Sequence, residues 1–161
     1  MGRHAASTPA LRALEAAGVA FETVTYEHDD RSALGFGMEA ASRLGADPAH
    51  VLKTLLVGDG RRAGVCLVPA ERRLGLKAAA SALGMKKVAL LDPADAERMT
   101  GYVVGGISPL GQKRSLPTVI DDSVRDLPSV LVSAGRRGMS VRVAPADLLA
   151  ATRGTFAALT E

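Results

Sequence analysis

One loop, from Gly101 to Arg114, most constrains how this chain of 161 residues can fold. Its first part, residues 102–104, is short and apolar, which predicts a strand that leads into the glycine pair Gly105-Gly106. Glycine lacks a Cβ, so this pair can adopt φ > 0 and can lie close to a ligand. Pro109 then fixes φ and stiffens the loop before two cations. The pattern is typical either of a plain glycine-rich connection or of a loop whose N–H groups bind a small polar group.

A second constraint is a lysine within an apolar strand. Residues 51–57 read Val-Leu-Lys-Thr-Leu-Leu-Val, and side chains alternate faces along a strand, so Lys53 shares its face with Val51, Leu55 and Val57. An ammonium on an apolar face is costly unless it reaches water, a carboxylate or a bound polar substrate. Lys53 therefore either extends its head to solvent over packed methylenes or belongs to a binding site.

The order of the predicted elements indicates the fold class. Helices are predicted from Thr8-Pro9 to Gly18 and at about 38–44, 76–83, 92–99 and 145–154, with Asp92 and Asp95 in capping-box positions. Strands are predicted at 21–26, 51–57, 63–68, 87–90, 102–104, 118–120, 130–132 and 139–143. Gly58-Asp59-Gly60 predicts a hairpin between the second and third strands. Hairpins interrupted by single helices are typical of a mixed α+β domain, and residues 1–161 are expected to form one domain.

Composition and motifs exclude several kinds of protein. Apolar residues make up 47% and aromatic residues 3%, so the core is expected to be aliphatic, and no apolar run approaches the roughly 20 residues of a membrane span. The single cysteine, Cys66, lies in an apolar strand and reads as a core residue of a protein from a reducing cytoplasm. Spacings typical of metal sites, serine hydrolases and phosphate-binding loops are missing. We therefore expect no metal and no cofactor.

The net charge is only +3, but the cations are clustered. They gather between residues 61 and 87 and between residues 111 and 142, where Lys113, Arg114, Arg136 and Arg137 lie. If the two groups share a face, they would suit the phosphate backbone of an RNA; a mixed solvated surface is the alternative.

Several segments occur in an order that resembles the YbaK/EbsC family, free-standing relatives of the editing domain of bacterial prolyl-tRNA synthetases. They are Tyr26-Glu27-His28-Asp29, Lys53-Thr54-Leu55-Leu56-Val57, Gly84-Met85-Lys86-Lys87-Val88, the 101–114 loop and Val132-Ser133-Ala134-Gly135-Arg136-Arg137-Gly138. The resemblance extends from about Thr8 to Phe156 and is strongest to the Cys-tRNA(Pro) deacylase branch. It implies a curved, mixed, mainly antiparallel barrel-like sheet surrounded by helices.

The resemblance also implies an activity and a site. The activity is trans-editing, in which the ester of mischarged Cys-tRNA(Pro) is cleaved with the substrate thiol as nucleophile, and prolyl-tRNA synthetase is a candidate partner. Lys53 would be the essential lysine. The substrate-binding positions would be Tyr26, Phe36, Thr54, Gly105, Gly106, Ile107, Ser108, Pro109, Ser133 and Gly135, and the phosphate contacts Lys113, Arg114, Arg136 and Arg137.

The chain departs from the family pattern at one wall of the expected pocket. Ala134-Gly135 stands where the family often has two glycines, so a requirement for φ > 0 at the first position would strain Ala134. Arg136-Arg137 replaces Lys-Arg, which exchanges a point charge for a planar fork. Two alternatives stay open: a deacylase for another mischarged tRNA such as Ala-tRNA(Pro), and a non-catalytic module that binds tRNA or synthetase.

Overall fold

The computed structural model describes residues 7–161. Its helices begin and end at signals that are local in the sequence. Helix α1 (Pro9–Ala16) begins after Thr8, whose Oγ1 accepts a hydrogen bond from the Leu11 N–H at 3.2 Å. Helices α2 (Phe36–Leu44) and α3 (Leu76–Leu83) end at Gly45 and Gly84, both in the left-handed conformation that glycine adopts without strain.

Helices α4 (Pro93–Thr100) and α5 (Pro145–Thr152) each begin with a proline, whose fixed φ suits the first helical position. The capping box predicted at the start of α4 is wrong. Asp92 makes no side-chain capping bond, and Asp95 instead accepts a hydrogen bond from Arg98 at 2.7 Å. Arg98 lies one turn along the helix, where its charge can reach the carboxylate.

Eight strands form two sheets in the described part of the chain. They are β1 (Glu22–Thr25), β2 (Leu52–Gly58), β3 (Ala63–Pro69), β4 (Ala89–Leu90), β5 (Thr118–Asp121), β6 (Val130–Arg136), β7 (Met139–Val143) and β8 (Thr155–Ala157). The smaller sheet has the order β1-β7-β6 and is antiparallel. The larger has the order β4-β2-β3-β5-β8, in which β3, β5 and β8 are parallel. The mixed α+β prediction is confirmed.

The two sheets approach each other at the start of β2, where Val51 forms a bridge with Leu131 of β6. The structure does not show the sheets closing, so the barrel-like form stays a prediction. The main core lies between the sheets and is aliphatic, as expected, with Leu14, Leu67, Ile120, Val141 and Leu148 fully buried. A second cluster fills the space between the larger sheet and α3 and contains Cys66, which is 0% exposed.

The prediction of a strand at residues 102–104 is wrong. These residues form a bend and a turn. The Val104 N–H donates to the Glu97 carboxylate at 2.8 Å, and the Gly106 N–H donates to the Val103 carbonyl at 2.9 Å. The Tyr102 hydroxyl donates to the Leu110 carbonyl at 2.5 Å, which folds the loop back on itself. Such local bonds satisfy backbone groups that a strand would need for its ladder. The prediction at 87–90 is confirmed only for Ala89–Leu90, and β8 was not predicted.

The helices among residues 7–161 are all too short to cross a membrane, and the longest, α2, has nine residues.

Candidate functional site

A cavity of about 370 Å³ opens between the two sheets. Its walls come from β2, from the start of α2, from the loop after α4 and from the hairpin of β6 and β7. The predicted site residues on its walls are Tyr26, Phe36, Lys53, Thr54, Gly105, Ile107, Ser133 and Arg136. The tertiary structure therefore brings together the lysine strand and the glycine loop, which are far apart in the sequence.

Other predicted site residues lie behind these walls or away from them. Gly106, Ser108, Pro109 and Gly135 do not line the cavity, and neither do Lys113, Arg114 and Arg137. Ser108 is 0% exposed; its Oγ accepts from the Leu110 N–H at 3.2 Å and its carbonyl accepts from Gln112 at 3.0 Å. The serine thus shapes the loop from inside.

Lys53 extends its side chain into the cavity from β2 and is half-buried. Its Nζ donates to the Ala70 carbonyl at 3.5 Å, which is the limit of a hydrogen bond. Burial lowers the pKa of Lys53, and the nearby charge of Arg73 lowers it further. Both effects disfavour the charged form of Lys53, and the attraction of an anionic group in the cavity would offset both of them.

Thr54 presents a hydroxyl that lacks a partner. Its Oγ1 is sealed from solvent and makes no hydrogen bond with any of residues 7–161. Tyr26 and two serines also line the cavity, and the serines, Ser133 and Ser140, face each other across the ladder of β6 and β7. A buried polar atom without a partner is costly. A polar group of a ligand could pair with the Thr54 hydroxyl only if neighbouring side chains moved, because that oxygen is sealed in the structure.

The glycine pair allows three segments of the chain to pack closely beside the cavity. A Cβ on Gly105 would lie 2.5 Å from Cε1 of Phe36, and one on Gly106 would lie 2.6 Å from the Arg136 Cα. Protein atoms therefore already fill the space that a Cβ would take at either position, and the predicted closeness of the pair to a ligand stays a prediction. Gly105 has φ +90°, which other residues rarely adopt. The pair lets the loop pack against α2 and the end of β6.

Ala134-Gly135 is accommodated without strain. Positive φ falls on Gly135, at +107°, while Ala134 is fully buried and its carbonyl accepts a hydrogen bond from the Thr8 hydroxyl at 2.5 Å. The register of β6 and β7 shifts between Ser133 and Arg136, which is the mark of a β-bulge. The bulge directs Ser133 and Arg136 to the cavity.

The sequence reasoning missed a partly buried pair, His28 and Glu39, behind Phe36. Nδ1 of His28 lies 2.6 Å from Oε1 of Glu39, and Nε2 lies 2.8 Å from Oδ1 of Asp30. The hydrogen bond with Glu39 raises the pKa of His28 more than burial lowers it, and Asp30 adds to the rise. Burial would raise the pKa of Glu39, but its bonds with the Asp29 N–H and His28 outweigh that effect, so the pKa is lowered. The available signal was Glu39, an acid next to Ala40 and Ala41 in the predicted helix.

Comparison with known proteins identifies the family. The family model for the aminoacyl-tRNA editing domain matches residues 37–151. The chain belongs to this family. It is also 40% identical over 121 residues to EbsC of Enterococcus faecalis (strain ATCC 700802 / V583), to which Cys-tRNA(Pro)/Cys-tRNA(Cys) deacylase activity has been assigned; the match covers 74% of each chain.

Solved structures agree with this family. A protein assigned as a trans-editing enzyme for prolyl tRNA synthetase has a TM-score of 0.83 and 29% identity, covering 96% of this chain and 98% of its own. The hypothetical protein APE2540 shares the fold at a TM-score of 0.84 and 24% identity, covering 96% of this chain and 100% of its own. The editing-domain match includes Lys53 and the 105–109 loop, whereas Tyr26 and Phe36 precede it.

Proposed function

We propose that this member of the editing-domain family is a trans-editing aminoacyl-tRNA deacylase that cleaves mischarged Cys-tRNA(Pro). The E. faecalis relative, to which that activity has been assigned, supports the proposal at 40% identity. The cavity supports it too, because its volume of about 370 Å³ is within the range of small-molecule sites and suits a small aminoacyl group.

The observation that carries the mechanism is the chemistry of the cavity walls. Among the described residues that line it, none is Cys, His, Asp or Glu, so the hydroxyls of Thr54, Ser133 and Ser140 have no imidazole or carboxylate on the walls to activate them as nucleophiles. Cys66 lies in the other core cluster, and burial raises the pKa of its thiol to about 11. The reactive thiol then belongs to the substrate.

In the proposed reaction, the sulfur of the cysteinyl group attacks its own carbonyl carbon. A carbon–sulfur bond forms, the ester carbon–oxygen bond breaks, and the thiol proton passes to the terminal ribose oxygen of the released tRNA. The products are free tRNA and a small cyclic thioester that water opens. An internal nucleophile held in an attacking geometry requires no protein nucleophile.

The side chains of the cavity have separate roles in this reaction. Lys53 is the catalytic residue: its ammonium binds the ester end and stabilises the negative charge that develops on the carbonyl oxygen. The substrate-binding roles belong to Tyr26, Phe36, Thr54, Gly105, Gly106, Ile107, Ser108, Pro109, Ser133 and Gly135, some on the walls and some supporting them from behind.

A charged surface around the cavity would bind the tRNA. Lys113, Arg114 and Arg136 are exposed and are proposed to contact phosphates of tRNA(Pro).

The proposal has four further parts. Residues 1–161 form one editing domain, and its sheets close into a barrel-like form. The partner is prolyl-tRNA synthetase, and the location is cytoplasmic.

Deacylation assays on three substrates test the proposal. Cys-tRNA(Pro), Ser-tRNA(Pro) and Ala-tRNA(Pro) are each incubated with excess protein, and the remaining ester is measured against a buffer control. Cysteine should be released fastest, because a serine hydroxyl is a far weaker nucleophile and alanine has none. Faster release of alanine would contradict the thiol mechanism and indicate attack by water. Binding of tRNA without any release would show a non-catalytic module.

A further inference from the structure

Phe36 occupies an unusual position for a large apolar side chain. It is the first residue of α2, lines the rim of the cavity and is 39% exposed. A ring this exposed gains little from burial, so its orientation depends on the groups that contact it.

Arg137 contacts both the Phe36 ring and the loop after α4. The guanidinium carbon lies 5.2 Å from the centroid of the Phe36 ring, within the range of a cation–π interaction. Its Nε donates to the Val104 carbonyl at 2.9 Å. One side chain thus connects the turn after β6, the loop after α4 and the first residue of α2.

Gly105 and His28 complete the surroundings of the ring. A Cβ on Gly105 would lie 2.5 Å from the Phe36 ring and 2.8 Å from Nε of Arg137, so only glycine leaves room for both. The His28 ring lies 5.5 Å from the Phe36 ring, tilted by 32°, and is itself held by Glu39 and Asp30. The ring is therefore held by contacts from three separate segments of the chain.

We infer that Arg137 is a positioning residue that holds the Phe36 ring at the cavity rim and thereby sets which aminoacyl side chains the cavity admits. The inference rests on the proposed deacylase function. It also gives Arg137 a role other than the expected phosphate contact, because its Nε is bonded to the Val104 carbonyl and its guanidinium lies over the Phe36 ring. Lysine could not replace it, since an ammonium lacks both the planar face and an Nε donor next to it.

The chain offers a matched control for this contact. Arg125 lies over Phe156 in the same manner, with its guanidinium carbon 4.7 Å from the ring centroid, and neither residue lines the cavity. Arg125→Ala therefore removes the same charge and the same kind of contact as Arg137→Ala, away from the proposed site.

The first measurement reports on the ring without any activity. The chain has three phenylalanines, so selective ¹³C labelling of phenylalanine rings yields three sets of ring signals in an NMR spectrum. Arg137→Ala and Arg137→Lys should each shift the Phe36 signals and leave those of Phe21 and Phe156 in place. Arg125→Ala should shift only the Phe156 signals. Unchanged Phe36 signals in Arg137→Ala would overturn the inference.

The second measurement is selectivity, as the ratio of kcat/KM for Cys-tRNA(Pro) to that for Ala-tRNA(Pro). Arg137→Ala and Arg137→Lys should both lower this ratio about tenfold, since they remove the cation–π contact with the ring and the hydrogen bond that fixes the guanidinium beside it. Arg125→Ala should keep the wild-type ratio.

A direct phosphate contact would behave differently and would refute the inference. Arg137→Lys would then match the wild type, and Arg137→Ala would weaken both substrates equally and reduce the salt dependence of binding. If the wild type releases neither amino acid, the proposed function fails, and the NMR measurement still decides whether Arg137 holds the ring.

Discussion

Replacing Lys53 with methionine separates the chemical role of this lysine from its role in the fold. Methionine keeps most of the side-chain volume and removes the charge. In the structure, the only recorded hydrogen bond of Nζ among residues 7–161 is the 3.5 Å contact with the Ala70 carbonyl, and burial, followed by the charge of Arg73, lowers the pKa. The variant loses a weak hydrogen bond, which lowers stability, but it also avoids the cost of desolvating a charge, which raises stability. Because the two effects oppose each other, its free energy of unfolding should change by less than about 1 kcal/mol.

The effect on catalysis should be much larger. Loss of one group that stabilises developing charge typically costs a factor of about 10²–10³, or about 2.7–4 kcal/mol in the transition state. Lys53→Met should therefore reduce the single-turnover rate on Cys-tRNA(Pro) at least about 100-fold. Lys77→Met, which removes an exposed lysine from α3, is the control for a simple loss of charge and should deacylate like the wild type.

Two measurements separate the catalytic role of Lys53 from a structural one: the rate of ester loss with excess protein, and unfolding in urea. Near-normal turnover of Lys53→Met would refute the role of the ammonium. A fall in stability of several kcal/mol would refute the reasoning in another way, because it would show that Lys53 supports the fold.

Three further predictions follow from buried or strained positions. Cys66→Ala should retain the wild-type deacylation rate and lose about 1 kcal/mol of stability in urea unfolding, since the thiol is a core group; abolished turnover would indicate a thiol enzyme. Gly105→Ala should lower stability by about 1–3 kcal/mol more than Gly60→Ala, because φ is similar at the two sites, +90° and +96°, but only at Gly105 would a Cβ meet other atoms. Equal losses of stability in the two variants would show that a Cβ at position 105 meets no steric clash. The raised pKa of His28 adds stability that is complete below the unfolded value of about 6.5 and is lost as the pH rises through the folded pKa. Between pH 5.5 and pH 9, the unfolding free energy of His28→Gln should therefore fall less than that of the wild type or His50→Gln, and identical falls would refute the ion pair's contribution.

Much of the fold could be predicted from the sequence because its signals are local. Gly45 and Gly84 end helices through their own backbone conformation, and the hairpin of β2 and β3 follows from Gly58-Asp59-Gly60 between two apolar runs. The family, too, could be recognised from the order of short motifs. Lys53 stood out because a cation interrupts an apolar strand, which is visible without any tertiary contact.

The sequence could not predict the features that depend on residues distant from one another along the chain. Residues 102–104 have the composition of a strand, yet Glu97 takes the Val104 N–H and leaves the backbone in turns. No periodicity could show that Arg137 reaches the ring of Phe36, or that the cavity joins β2 to the loop after α4. Alternation within a strand assigns a side chain to a face, but only packing decides what that face meets. The sequence by itself therefore determined most of the elements, the family and the catalytic candidate. The tertiary structure decided the walls of the cavity and the contacts that hold its rim, because those contacts join segments that no local pattern relates.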